Sequence, residues 1–306
     1  MSGTADLAGL YSAIEESARL VDAPCSRDKV WPVLTAYGDA LARAVVAFRV
    51  ATGARRAGEL DCRFTMLPKD VDPYALALSN GLTAKTAHPV GALLADISER
   101  CPVDCYGIDF GVVDGFKKTW SFFPPDELQG LPKLAGIPSM PRSLAENHDF
   151  FARHGLDDNV SLVGIDYQHR TANFYFGEIP AECFEPKTIV SMLREVGLPD
   201  PSEQMLSLGE RAFGIYTTLG WDSAKVERIT FAVMTPDPTT LPTRLEPKIE
   251  QFVRSAPYTY DAADRRFVYA VTASKGGEYY KLQSYYQWRP QMLNLMLLAG
   301  SVEEPA

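Results

Sequence analysis

The chain lacks the features of a membrane protein, a nucleic-acid binder or a disulfide scaffold. Among its 306 residues no stretch reaches the roughly eighteen uninterrupted apolar positions that a membrane helix needs. The opening MSGTADLAGLYSAIEESARLV has no basic start, and Glu15, Glu16 and Arg19 interrupt its apolar residues, so it does not read as a signal peptide. Positive charge is short: 30 Lys and Arg against 39 Asp and Glu leave a net charge of -9, the wrong sign for a phosphate backbone. The five cysteines, Cys25, Cys62, Cys101, Cys105 and Cys183, are an odd number, which points to reduced thiols. Cys101 and Cys105 have no second Cys pair or His pair with which to complete a zinc site. A Walker lysine loop and a GxGxxG after a strand are both missing, which disfavours a nucleotide cofactor. The expectation is a cytoplasmic protein with no membrane or nucleic-acid partner.

What the chain does have is apolar content, 46% against 23% charged, enough for a sizeable core. We read residues 1–306 as a single domain. Leu7, Leu10, Tyr11, Ile14 and Ala18 recur at helical spacing over 5–21, and a second helix follows Ser26 through Val30, Leu34, Tyr37 and Leu41. AVVAFRVAT and ELDCRFTM then read as a hairpin. The order repeats four times. Helices at 73–81 and 90–100 precede VDCYGIDFGV and FKKTWSFF; helix 142–154 precedes SLVGIDYQ and TANFYFG; helix 187–196 precedes LSLGERAFGIYTT and KVERITFAVM; helix 246–255 precedes RRFVYAVTAS and GEYYKLQSYYQW. A last helix is expected over Pro290–Leu298. Five strand pairs at intervals of roughly fifty to sixty residues are an architectural repeat without clear internal sequence similarity. Paired strands with short loops are antiparallel, which disfavours a doubly wound sheet.

Alternation suggests how ten such strands close. Phe116, Lys118, Trp120 and Phe122 share one face, as do Tyr279, Lys281, Gln283 and Tyr285, and Arg228, Thr230, Ala232 and Met234 oppose Ile229, Phe231 and Val233. One face is apolar and the other mixes cations with aromatics. Helices over the first and a closed barrel around the second would satisfy both, because an unpaired buried cation is prohibitively costly and closure removes exposed strand edges. The fold class expected is therefore α+β, a closed ten-stranded antiparallel barrel with a polar and aromatic lumen inside a ring of helices.

The inner face gathers Arg63, Lys118, Arg228 and Lys281 with His169, Asn173 and Tyr216. Singly, each reads as an ordinary solvated residue. Together, on separate hairpins, they outline an anion site, and a diphosphate is the anion that needs several charge-assisted donors. Trp120, Phe122, Tyr175, Phe213 and Tyr285 would project into the same space, where core packing is the competing explanation. Aromatic faces attract cations by about 0.5 to 2 kcal/mol per contact. A lumen with a cationic pole and aromatic walls suits a molecule that holds an anion and develops positive charge beside it, as an allylic diphosphate does.

The segments ELDCRF, GFKKTWSFFP, IPSMP, DYQHRTANFYF, ERITFAVM and EYYKLQSYY, with IEESARL near the start and HPV at 88–90, resemble the ABBA family of bacterial soluble aromatic prenyltransferases essentially end to end. The resemblance implies a ten-stranded barrel of αββα units. It also implies transfer of a prenyl group, dimethylallyl or geranyl, from an allylic diphosphate to an electron-rich acceptor such as a dihydroxynaphthalene or another phenolic. By resemblance Lys118, Asn173, Tyr216, Arg228 and Lys281 hold the diphosphate, and Asp61 matches an aspartate that serves Mg2+. Phe213 and Tyr285 match walls of the acceptor pocket, and Trp120 and Tyr175 shield the prenyl chain.

Several positions depart from the family pattern. His169 stands where a lysine contacts diphosphate, and Arg63 stands where a small hydroxyl residue is usual, two places after Asp61. Arg63 is expected to restore the charge lost at His169, or to neutralise Asp61 and reduce the need for Mg2+, which leaves Mg2+ dependence open. Trp120 takes a tyrosine position and Gln283 a glycine position, while Ser161 and Gly214 replace a glutamine and a serine near the acceptor. The added bulk predicts that the five-carbon donor is accepted at least as readily as the ten-carbon one.

Other readings fit less well. A helical terpene cyclase would carry a DDxxD cluster, whereas Asp157-Asp158 runs on into Asn159, Val160 and Ser161. A non-catalytic barrel that binds an aromatic metabolite would explain the aromatic walls but not the cations. No organic cofactor is expected, and a barrel without free edges predicts a monomer.

Overall fold

Ten strands pair antiparallel, each with its sequence neighbours, and the first and last pair with each other in a computed structural model that describes residues 6–53 and 58–288. The helix expected over Pro290–Leu298 lies outside the described residues. The strands are β1 (Val45–Ala51), β2 (Asp61–Leu67), β3 (Cys105–Gly111), β4 (Gly115–Phe122), β5 (Val160–Asp166), β6 (Thr171–Phe176), β7 (Gly214–Gly220), β8 (Val226–Thr235), β9 (Phe267–Ser274) and β10 (Gly277–Gln287). β1 against β10, with Ala51 opposite Lys281, closes the barrel. This is the α+β barrel expected from the strand pairs.

The helices begin where the chemistry says they should. Asp6 caps helix Leu7–Leu20 by accepting from the Gly9 N–H at 2.9 Å, and Asp72 caps Pro73–Ser79 by accepting from the Tyr74 and Ala75 N–H groups. Their apolar faces pack on the outward side chains of the strands. Phe48, Phe64, Phe174, Ile229 and Phe231 are fully buried there against helix residues such as Ile14, Leu34, Leu94, Met192 and Phe252. A second, smaller apolar cluster of Ala47, Trp120, Phe122 and Tyr285 lies inside the barrel. No helix among the described residues is long and apolar enough to cross a membrane.

Two segments differ from the pattern read in the sequence. The stretch beginning at Leu206 is not one strand. Residues Glu203–Gly209 form a helix capped by Ser202, which accepts from the Met205 N–H, and β7 starts only at Gly214. The apolar residues there, Met205 and Leu208, serve a buried helix face, and a short apolar run does not distinguish the two structures. The helix expected over 142–154 is two short ones, Ser143–Glu146 and His148–Arg153, broken at Asn147. The Asn147 side chain donates to the Ser143 and Ala224 carbonyls, a local alternative to continuing the helix.

A third difference positions the site. Lys118 pairs with Asp109, but the next pair is Phe116 with Phe110, so Lys117 is an extra residue on β4. The bulge turns Phe116 outward into the helix-facing core, where its ring lies 5.9 Å from that of Tyr167, whereas alternation alone placed it inside with Lys118. β8 repeats the arrangement: Thr218 pairs with Arg228 and Leu219 with Val226, leaving Glu227 as the extra residue. Val226 is therefore in the outer core while Arg228 stays on the inner face.

Candidate active site

The barrel lumen holds an open-mouthed cavity lined by residues of β1, β2, β4 to β10 and the segment before β7. Layers along the strands give it two poles. β4 carries Lys118, then Trp120, then Phe122; β10 carries Lys281, then Gln283, then Tyr285. Arg228 precedes Ala232 on β8, and Asp61 precedes Arg63 and Thr65 on β2. One pole is thus polar and charged, and the other is walled by aromatic and small residues.

At the polar pole Lys281 Nζ donates to the Tyr216 hydroxyl at 3.2 Å and lies 5.3 Å from the centre of that ring. Burial pulls the Lys281 ammonium down, Tyr216 opposes the fall, and Arg49, Arg228 and Lys118 add to it, leaving the group at about 7. Burial pushes the Tyr216 phenol up, but Lys281 and the Thr230 hydroxyl outweigh it and hold it below the ordinary value. The Arg228 Nε and the Asn173 Nδ2 are buried without a hydrogen-bond partner among the described residues. Asn173 Oδ1 is meanwhile held by the Thr218 hydroxyl at 2.7 Å, which fixes the orientation of the amide. Buried donors left without acceptors are costly unless a ligand supplies them.

The remaining cations are paired. Arg63 makes a bidentate contact with Asp109, at 2.8 and 3.1 Å, and its guanidinium lies 4.2 Å over the Trp120 ring. Arg49 reaches Asp61 at 2.7 Å and Asp109 at 3.3 Å, and Lys117 reaches the other Asp61 oxygen at 2.8 Å. Burial raises the Asp61 carboxyl, but Arg49 and Lys117 together hold it well below the usual carboxylate range. Lys118 pairs with Asp166 at 2.9 Å. Lys117 also lies 3.2 Å from Asp114, so six cations meet four carboxylates, an excess of two positive charges when Lys281 is protonated.

Three expectations differ from the structure. Arg63 does not neutralise Asp61; Asp109 takes Arg63 and Arg49 takes Asp61, because Arg63 stands beside Asp109 in the β2–β3 register. His169 is not on the inner face of a strand. It lies in the turn after β5 with its side chain 69% exposed, and its Nδ1 is 3.1 Å from Asp166 Oδ2. It meets Lys118 only through that carboxylate. Asp61 also does not suit Mg2+, since one of its oxygens is engaged by Lys117 and the other by Arg49. No group of three or more metal-ligating side chains occurs among the described residues.

Trp120, Phe122, Ser161, Tyr175, Phe213, Gln283 and Tyr285 all line the cavity. Tyr175 stacks on Tyr216 with ring centres 4.2 Å apart, continuing the aromatic wall from the cationic pole. Ser161 sits at a bulge of β5 and donates to the Tyr175 carbonyl. Arg49, Asp109, Lys117 and Asp166 were missed. Simple alternation would have found Arg49, two places after the lumenal Ala47, and Asp109, between Gly107 and Gly111 on β3; only the bulge reveals Lys117.

The family model described as Aromatic prenyltransferase Orf2 matches residues 5–296. This chain belongs to that family. The aromatic prenyltransferase is 56% identical over 296 residues to 5,10-dihydrophenazine-1-carboxylate 9-dimethylallyltransferase of Streptomyces anulatus, covering 97% of this chain and 98% of the relative. It is 56% identical over 301 residues to flaviolin linalyltransferase of Streptomyces virginiae, with 98% and 99% covered. It is 54% identical over 300 residues to a furaquinocin biosynthesis prenyltransferase of Streptomyces sp. (strain KO-3988), with 98% and 96% covered. As an aromatic prenyltransferase it transfers a prenyl group to an aromatic acceptor.

Proposed function

We propose that the lumen binds an allylic diphosphate with its anion at Lys118, Asn173, Tyr216, Arg228 and Lys281, and an electron-rich fused aromatic in the space between Phe122, Phe213, Gln283 and Tyr285. The observation that carries this reading is the pair of buried donors without a partner among the described residues, Arg228 Nε and Asn173 Nδ2, together with a lysine whose charge burial and the neighbouring cations suppress. A diphosphate satisfies all three. The bond between the allylic carbon and the diphosphate oxygen breaks with its electron pair on oxygen, where the fixed cations stabilise the departing charge. The rings of Tyr175 and Tyr216 shield the allyl cation from water. A carbon of the acceptor ring then forms the new bond, and loss of its proton restores aromaticity.

The donor we favour is dimethylallyl diphosphate, because Trp120 and Gln283 narrow the lumen and the S. anulatus relative is named a dimethylallyltransferase. Geranyl diphosphate is the second reading, favoured by the linalyltransferase name of the S. virginiae relative. We further infer that Mg2+ is dispensable, since Arg49 and Lys117 already place two cations on Asp61. We take the chain to act as a cytoplasmic monomer.

Incubation with dimethylallyl diphosphate and a dihydroxynaphthalene tests the reading. The expected result is a product heavier by one dimethylallyl group, with stoichiometric diphosphate release, retained in EDTA. Absence of product with phenolic and dihydrophenazine acceptors contradicts the substrate reading. Loss of nearly all activity in EDTA with rescue by Mg2+ alone contradicts the metal reading.

A further inference from the structure

Trp120 stands between two glycines. Its cross-strand neighbours are Gly107 on β3 and Gly164 on β5. A Cβ on Gly164 would stand 2.3 Å from Trp120 Cζ3, 2.5 Å from Cε3 and 2.9 Å from Cη2. A Cβ on Gly107 would stand 3.3 Å from Trp120 Cδ1 and 2.9 Å from the Phe64 carbonyl oxygen. The indole therefore spans the barrel wall, its six-membered ring over Gly164 and its five-membered ring over Gly107. Neither glycine is needed for a left-handed backbone; both are needed for the space they leave.

The ring is also fixed from its other sides. Trp120 Nε1 donates to Asp109 Oδ1 at 3.0 Å, and Asp109 is itself buried and bound by Arg63. The Arg63 guanidinium covers the ring at 4.2 Å, and the Tyr175 ring meets it edge-on at 5.3 Å. With the sheet behind it, a ring displaced from Gly164 must move toward the lumen and push the Arg63 guanidinium ahead of it.

We propose that Gly164 is a specificity-determining residue, which keeps the Trp120 indole flat on the wall and so leaves room for the longer of the two prenyl donors. This rests on the reading of the lumen as the chamber for prenyl transfer. Trp120 lies two residues beyond Lys118 on β4, about 6.7 Å along an antiparallel strand. A five-carbon tail leaving a diphosphate at Lys118 barely reaches that level, and a ten-carbon tail must pass it. Lifting the ring penalises the longer donor selectively. Gly164 itself contacts neither substrate, so its influence runs through the indole.

Steady-state kinetics with dimethylallyl and geranyl diphosphate on wild type, G164A, W120F and the double variant G164A/W120F test the proposal. In G164A the ratio of kcat/KM for geranyl to that for dimethylallyl diphosphate falls by at least about tenfold, the scale of a methylene-sized clash in an apolar pocket. Adding W120F, whose smaller ring clears the new methyl, returns the ratio to that of W120F alone. A ratio unchanged in folded G164A, or a fall that W120F does not relieve, overturns the proposal. The melting temperatures of the same proteins give a second reading that needs no turnover: G164A lowers the midpoint and W120F offsets the loss. Should G164A not fold, recovery of a folded double variant supports the clash and failure of both contradicts it. A wild type inactive on both donors counts against the function, whereas an active wild type with an unmoved ratio counts against Gly164 alone.

Discussion

Lys281 is a buried ammonium without a carboxylate partner among the described residues, flanked by Arg49, Arg228 and Lys118 and resting on Tyr216. Its fall to about 7 has a definite sign. Between about 7 and the ordinary lysine value near 10.4 the unfolded chain binds more protons at this residue than the folded one, so its contribution to stability rises with pH across that window and its penalty is complete below it. A diphosphate at the same position reverses the balance and restores the charge. Diphosphate binding near pH 8 is therefore expected to take up as much as about one proton, read from calorimetric enthalpies in buffers of different ionisation heat. Lys281→Met should abolish that uptake, and equal uptake by both proteins would contradict the assignment. Residues of this kind were legible because Lys281 and Lys118 alternate with aromatics along their strands and Arg228 opposes the apolar Ile229, Phe231 and Val233. The carboxylates were not: Asp109 and Asp166 were missed, and only the register sets each beside a cation. His169 was expected on the inner face of a strand, whereas it sits in the turn between β5 and β6, oriented by Asp166.

At the scale of the element, the two bulges do most to shape the charged pole. Each inserts one residue just before a lumenal cation, so the preceding apolar residue faces the helices while the cation stays inside. The number of strands, their pairing and most boundaries followed from period-two patterns and turn glycines such as Gly115 and Gly277, both at positive φ. The bulges did not, because an inserted residue leaves no mark in composition and only interrupts a period too short to measure. Phe116 is the position at which the two descriptions part. As an outward core residue, 4% exposed, Phe116→Ala should destabilise the fold by about 3–5 kcal/mol in urea denaturation. The surviving folded protein should bind inorganic diphosphate as tightly as wild type. A variant of unchanged stability that binds diphosphate more weakly would place the ring in the lumen instead.

Over the whole molecule, closure couples the ends of the chain to the site. β10, which carries Lys281, Gln283 and Tyr285, pairs with β1, which carries Arg49, so the last described strand completes both the barrel and its cationic pole. An open sheet of the same strands would expose those cations to water and lose the low-dielectric lumen in which they act strongly on a leaving anion. The α+β barrel was evident from the five strand pairs. Its lumen contents were evident in outline, and the division into free donors and ion-paired cations needed the three-dimensional register. We propose above all that a basic pole inside the barrel holds the diphosphate of an allylic donor. A crystal structure with dimethylallyl S-thiolodiphosphate decides this. The diphosphate oxygens are expected within about 3.2 Å of donors on Arg228, Lys281 and Asn173, with the prenyl tail over Tyr175 and Tyr216. A diphosphate bound on the outer surface, or at the aromatic pole beside Phe122 and Tyr285, would contradict it.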